Sequence, residues 1–324
     1  MLLKWKVWGI TALLSLGLFG PADGAEGKIK GVAFGDYYFV VTGTEKNENG
    51  FKFRRIYLTY DLKWNDRWSG RVRYEANDAG FGGEDKMRPF VKHGYLRYRT
   101  NGRTVNMGLF GTPTWNVSER IWGYRSIAKT IMDMRKIGSS ADLGVGYRGK
   151  LDGAGRVNVQ LMIGNGSGQR PEADNGKKVY SLLHLKPTDV VEATVYLDWE
   201  GKPEGKDRIT FAGMLGTSGE SFRLGIEGFI RNNRRGQSGD DIQVRGVSAF
   251  GNVNVKPRVD VFGRLDFYDP NRSTERDEEF MFIGGIDVAP AGNIHIMPNV
   301  VATIKRSSVA DTGIIPRMTV CYRF

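Results

Sequence analysis

The chain has 324 residues, a formal net charge of +11, 44 glycines and a single cysteine. One cysteine excludes a disulfide framework, and His93, His184 and His295 stand too far apart in sequence for a metal-ligand pattern. No nucleophile sits beside a paired base, so nothing here points to an enzyme or to a bound cofactor.

Residues 1–24 differ from all that follows. Lys4 and Lys6 precede the apolar run VWGITALLSLGLFG, and Ala22 and Gly24 are small residues at the spacing a signal peptidase reads. The run is too short for a transmembrane helix and reads as a secretory signal cleaved after Gly24. The exported chain, residues 25–324, carries about +10 and forms one domain. No later segment is long and apolar enough to cross a bilayer as a helix.

From Lys28 onward one unit repeats: a segment of roughly ten strand-forming residues, then a turn or loop. Sixteen such segments follow in order, from KIKGVAFGDYYFVV to IPRMTVCYRF. Short connections (NDR, TNGR, DGAG, PTD, SGES, PAG) alternate with long ones (TEKNENG, DAGFGGEDKM, GSGQRPEADNGKK, NRRGQSGDD, PNRSTERDE, RSSVADTG). Strict alternation is expected of a closed barrel that crosses a membrane with tight turns on one side and loops on the other.

The faces agree. In VVEATVYLDWE, Val191, Ala193, Val195, Leu197 and Trp199 oppose Glu192, Thr194, Tyr196, Asp198 and Glu200. In FRLGIEGFIR, Phe222, Leu224, Ile226 and Ile230 oppose Arg223, Glu227 and Arg231; in RVDVFGRLDFY, Val259, Val261, Leu265 and Phe267 oppose Asp260, Arg264 and Asp266. A β-sandwich is the competing architecture, since it too pairs an apolar face with a wet one. Loop alternation and the export signal favour the barrel, because in lipid only closure pairs every strand amide. The predicted fold class is therefore all-β: a transmembrane antiparallel barrel of sixteen strands in the outer membrane of a Gram-negative-type bacterium. Trp64, Trp68 and Phe324 fall at the rim on the short-turn side and Trp199 at the opposite rim, as interfacial aromatics do. The terminal aromatic resembles the signal read by the barrel-assembly machinery.

Residues 114–140, TWNVSERIWGYRSIAKTIMDMRKIGSS, interrupt the strands after the fifth. Tyr124, Ile127, Ile131 and Met134 recur at helical spacing, and Glu119, Arg120, Arg125, Lys129, Asp133, Arg135 and Lys136 carry charge. A loop this apolar suits packing inside the barrel, where it would narrow the pore; an external cap is the alternative. GVGYRG (144–149) matches a dinucleotide fingerprint by letter, but another strand follows instead of a helix. PEADNGKK and DPNRSTERDEE lack the full calcium-loop pattern. Cys321 falls on the polar face as a small wall residue.

From about Gly50 to Gly149 the chain resembles the phosphate-selective porin group: paired arginines in GFKFRRIYLTYDLKW, a basic strand VKHGYLRYR, then VNMGLFGTPTW before the long loop. The resemblance implies a water-filled diffusion channel whose fifth-strand loop folds inward and sets the constriction, assembled as a homotrimer. Phosphate itself stays open, since TPTWNVSER stands where that loop more usually begins proline–phenylalanine–glycine.

With apolar residues outside, the expected pore-lining set is Arg55, Arg71, Arg73, Arg97, Arg99, Arg148, Arg223, Arg231 and Arg264, joined by Lys63, Lys150 and Arg323. Inward acids are Asp61, Glu75, Glu192, Asp198, Glu227, Asp260 and Asp266. The excess is positive and rich in arginine, which suits small anions as solutes. The competing readings are a barrel that sheathes a partner such as an exported cytochrome, and a surface receptor acting through its loops. No nucleic-acid partner is implied.

Overall fold

The computed structural model describes residues 25–78, 86–236, 239–307 and 312–324. The predicted signal peptide, and most of the DAGFGGEDKM loop, lie outside the described residues. The strands are β1 (Glu26–Phe39), β2 (Asn49–Lys63), β3 (Trp68–Asn77), β4 (Arg88–Thr100), β5 (Arg103–Phe110), β6 (Asp142–Lys150), β7 (Val157–Gly164) and β8 (Lys178–Leu185). They continue as β9 (Val191–Glu200), β10 (Arg208–Ser218), β11 (Phe222–Asn233), β12 (Ile242–Lys256), β13 (Val259–Asp269), β14 (Glu279–Ala291), β15 (Ile294–Lys305) and β16 (Gly313–Arg323).

Each strand pairs antiparallel with its sequence neighbours, and β1 closes on β16 to complete the barrel. The seam runs from Val32 opposite Arg323 to Tyr38 opposite Arg317. At its lower end the Phe324 backbone exchanges two hydrogen bonds with Gly31. Closure leaves no edge strand to satisfy, which is what hydrocarbon demands.

Side chains sort as the alternation predicts. Val195, Leu197 and Trp199 are exposed on the outer face of β9, whereas Glu192, Thr194, Tyr196, Asp198 and Glu200 are buried within. On β16, Met318, Val320 and Tyr322 are exposed and Thr319 and Cys321 buried. The inner face is not uniformly polar, however. Met214, Phe229, Phe250, Phe262, Met281 and Ile283 also turn inward and are buried. They pave one half of the lumen for the loop between β5 and β6.

That loop packs inside the barrel. Val117, Ile121, Trp122, Tyr124 and Ile127 form one cluster with Met214, Phe250, Phe262 and Ile283 of the wall. Trp115, Ile131, Met132 and Ile137 form a second with Tyr180, Tyr196, Phe229 and Val244. Burying these residues against the wall is favourable at about 1.5–3 kcal/mol for each large side chain.

The helical spacing of Tyr124 to Met134 does not yield one helix. Instead α1 spans Asn116–Trp122 and α2 only Ile131–Met134. Gly123 ends α1 in the left-handed region at φ 72°, and Thr130 is extended at ψ 160°. A glycine C-cap stops a helix whatever periodicity follows it. The apolar residues divide instead: Tyr124 and Ile127 belong to the first cluster, with Met134 packed against it, and Ile131 to the second.

Candidate functional site: the lumen constriction

With the loop seated against β10–β13, free space remains on the opposite side, between the loop and β1–β4. A cavity of about 340 Å³ lies there, lined by Tyr57, Arg73, Lys92 and His93 of the wall and by Glu119, Arg125 and Asp133 of the loop. It shares His93, Gly111 and Asn116 with a second cavity of about 240 Å³. The second shares Arg71, Tyr95, Arg97 and Arg99 with a third of about 610 Å³ at the short-turn mouth. The three adjoin one another along the β2–β6 wall, from the inward loop to the short-turn mouth.

Two β-bulges shape that wall. Phe34 pairs with Arg55 and Asp36 with Lys52, so two β2 residues, Phe53 and Arg54, oppose one on β1. The extra residue lets both Arg54 and Arg55 turn inward. Arg55 Nε lies 3.0 Å from Glu75 Oε1 and Arg54 Nε 2.5 Å from Asp36 Oδ2. On β4 the register slips between Arg73–His93 and Tyr74–Val91, which places Lys92 and His93 inward together. Lys92 Nζ lies 3.1 Å from Glu75 Oε2 and donates to Ser140 Oγ of the loop. Strict alternation places Arg54 and Lys92 on the lipid face, so sequence reasoning misses both. The adjacent pairs Arg54-Arg55 and Lys92-His93 were the available signal, since neither member of a charged pair belongs in lipid.

The expected pore-lining arginines divide into two sets. Arg73 donates from Nε to Thr59 Oγ1 at 2.7 Å and sits over the Tyr57 ring; Arg97 donates to Asn106 Oδ1 and Tyr95 Oη, both at 2.9 Å, over the Tyr95 ring. Arg99 and Arg148 line the path beside Thr104, Asn106 and Gln160. None of these four has a carboxylate within ion-pair distance among the described residues. Arg71 does, with Nε 2.6 Å from Asp61.

Arg223, Arg231 and Arg264 turn inward too but lie against or beneath the loop. Arg264 chelates Asp266 and donates to the Lys129 carbonyl, and Arg231 donates to Thr210 and to the Lys136 carbonyl. Arg223 is bonded to Asn252 and abuts Gly123. The expectation that Arg231 and Arg264 line open space fails, because the loop covers them. They hold the loop by its carbonyls.

The loop charges divide likewise. Arg120 pairs with Glu192 of β9 at 2.5 Å and Arg135 with Glu279 of β14 at 2.5 Å, the latter over the Tyr268 ring, so both serve as anchors. Arg125 faces the cavity, 3.1 Å from Glu119 and 3.5 Å from Asp133, and Lys129 lies 3.1 Å from Asp133. Lys136 is exposed, at φ 56°. Partial desolvation inside the lumen pushes the Glu119 carboxyl up, opposed by the Arg125 guanidinium, and the shift is moderated because the side chain is still 37% exposed to the cavity.

The histidines lie apart. His184 meets Glu192, His295 meets Asp287 and Arg323, and His93 lines the constriction. GVGYRG falls within β6, with no helix after it. No cluster of metal-ligating side chains occurs among the described residues.

A closed sixteen-stranded barrel with an apolar exterior, a wet lumen and an inward loop after β5 defines an outer-membrane protein of porin architecture. Over residues 28–114, which span β1 to β5 and the start of the loop, the chain matches the family model of phosphate-selective porin O and P, and it resembles that group. The anion-selective porin from Comamonas acidovorans superposes at a TM-score of 0.69 with 11% identity, covering 93% of this chain and 100% of that one. The outer-membrane channel DcaP of Acinetobacter baumannii gives 0.68 with 12% identity, covering 94% and 99%. OmpT of Vibrio cholerae, folded in vitro and described as a trimer form, gives 0.64 with 11% identity, covering 93% and 100%. No curated protein sequence matches the chain. At such identities the structural likeness establishes the fold.

Proposed function

We propose that the chain is a passive diffusion pore for small solutes, with a preference for anions set along the β2–β6 wall. The observation that carries this reading is the run of Arg73, Arg97, Arg99 and Arg148 beside the adjoining cavities, without carboxylate partners among the described residues. Their guanidinium groups are steadied by hydroxyl, amide and aromatic neighbours, which leave the charge uncompensated. Fixed positive charge in a narrow aqueous lumen with low-dielectric walls concentrates anions and repels cations.

The loop contributes size selection and, through Glu119, Arg125 and Asp133, a mixed-charge rim. Its occupation of half the lumen leaves no room for a folded partner such as a cytochrome, which favours the pore over the sheath. The trimer form described for OmpT supports a homotrimer here. In the same reading residues 1–24 are a signal peptide removed after Gly24, and the barrel-assembly machinery inserts the product among outer-membrane lipids.

The test is the reversal potential of the refolded, signal-less protein in a planar bilayer under a KCl gradient. A chloride-leaning potential that weakens in Arg73→Glu and Arg97→Glu is expected. A cation-leaning potential, or folded barrels that carry no current, would overturn the proposal.

A further inference from the structure

Resting on the reading of the lumen as an anion pore, we propose that the constriction favours small monocarboxylates with an apolar body, of about the size of benzoate, over inorganic phosphate. Its cavity of about 340 Å³ lies in the range of sites that enclose small organic molecules, which a bare ion does not need. Val32, Phe34 and Tyr57 on the barrel wall and Trp115 on the loop give it apolar and aromatic surface. A hydrated inorganic anion gains nothing from such walls, whereas a hydrocarbon body leaves water on entering them.

The charges narrow the choice further. Lys92 is held by Glu75, and Arg125 by Glu119 and Asp133. Arg73 has no carboxylate partner among the described residues, and its one hydrogen bond, from Nε to Thr59, leaves the two terminal nitrogens for a ligand. A planar guanidinium end of this kind takes a carboxylate in a bidentate pair. Glu119 and Asp133 face the same space, and their charge opposes a second negative charge on the solute. Arg323, bonded to His295, also lines the cavity without a carboxylate partner among the described residues, so the preference over a doubly charged phosphate rests on the apolar walls and on the two acids rather than on a lack of cations.

Calorimetric titration of the refolded barrel in detergent, at matched ionic strength, compares sodium benzoate, acetate and phosphate directly. Benzoate is expected to bind about tenfold or more tightly than either of the others. Arg73→Gln should remove most of that binding and Arg73→Lys restore part of it, while Glu119→Gln should strengthen phosphate relative to benzoate. Acetate or phosphate binding as tightly as benzoate in the unaltered protein would overturn the inference. Bilayer recordings separate the two readings. Barrels that bind benzoate but pass no ions sink the pore and spare the site; a chloride-leaning pore that ranks phosphate with benzoate does the reverse.

Discussion

Tyr124 of the loop stacks on Phe262 of β13, with ring centroids 4.2 Å apart and planes 26° from parallel. Trp122 meets both Phe250 and Phe262 edge-on in the same cluster. The loop is thus docked by aromatic contact on the far wall, and the width of the lumen left free depends on that docking. Trp122→Ala should lose about 3–5 kcal/mol of packing. We expect larger and noisier single-channel currents and faster proteolysis within residues 111–141. Unchanged conductance would mean that the loop stays seated without its main anchor.

Arg54 holds the same loop from the other side, donating to the carbonyls of Ser126 and Ile127 while paired with Asp36. Hydrogen bonds to a charged group are worth about 1.5–3 kcal/mol each. Arg54→Ala should therefore raise open-channel noise. Arg55→Ala, which breaks only the contacts to Glu75 and Tyr57, should affect it less. Equal effects from the two variants would show that the carbonyl contacts are not what steadies the loop.

Acidity should shift selectivity. The Glu119 carboxyl is raised by partial desolvation, so as pH falls it takes up a proton before an ordinary glutamate does. Neutral Glu119 leaves Arg125 less compensated, and the rim gains positive charge. The reversal potential should move further toward chloride as pH falls, and begin to do so before ordinary glutamates titrate. Glu119→Gln should flatten that dependence and show the low-pH value throughout. A raised carboxyl also favours the folded state less when ionised, so the same substitution should not weaken the barrel at neutral pH.

The seam has one point of close approach. Gly31 pairs with Phe324, and a Cβ on Gly31 would fall 2.1 Å from the Phe324 ring. Gly31→Val should push the ring off the rim and weaken the β1–β16 pairing. Heat-modifiable electrophoretic mobility would then be lost at a lower temperature than for the unaltered protein. A matching melt would show that the ring moves aside at no cost.

The sequence by itself determined the strand count, the short-long alternation and the outward apolar face, because each is written in local periodicity. Strands such as β9 and β16 needed no partner to reveal their faces: a side-chain period of two leaves only one choice once lipid must meet hydrocarbon. The loop's apolar character was legible for the same reason, and so was the excess of inward arginine.

Tertiary structure alone decided which of those arginines meet open water. Arg264 and Arg73 look alike in sequence, yet one lies beneath the loop and the other faces the path. The difference depends on where the loop docks, and that depends on inward apolar residues scattered over β10–β14. The bulges at Arg54 and Lys92 were legible only as adjacent charged residues, since the mismatch in residue count that makes a bulge is set between two strands and its position is recorded by neither alone. Period-two logic fixes a face only while the register holds. Here the register slips beside the constriction, where it brings two further cations, Arg54 and Lys92, into the lumen.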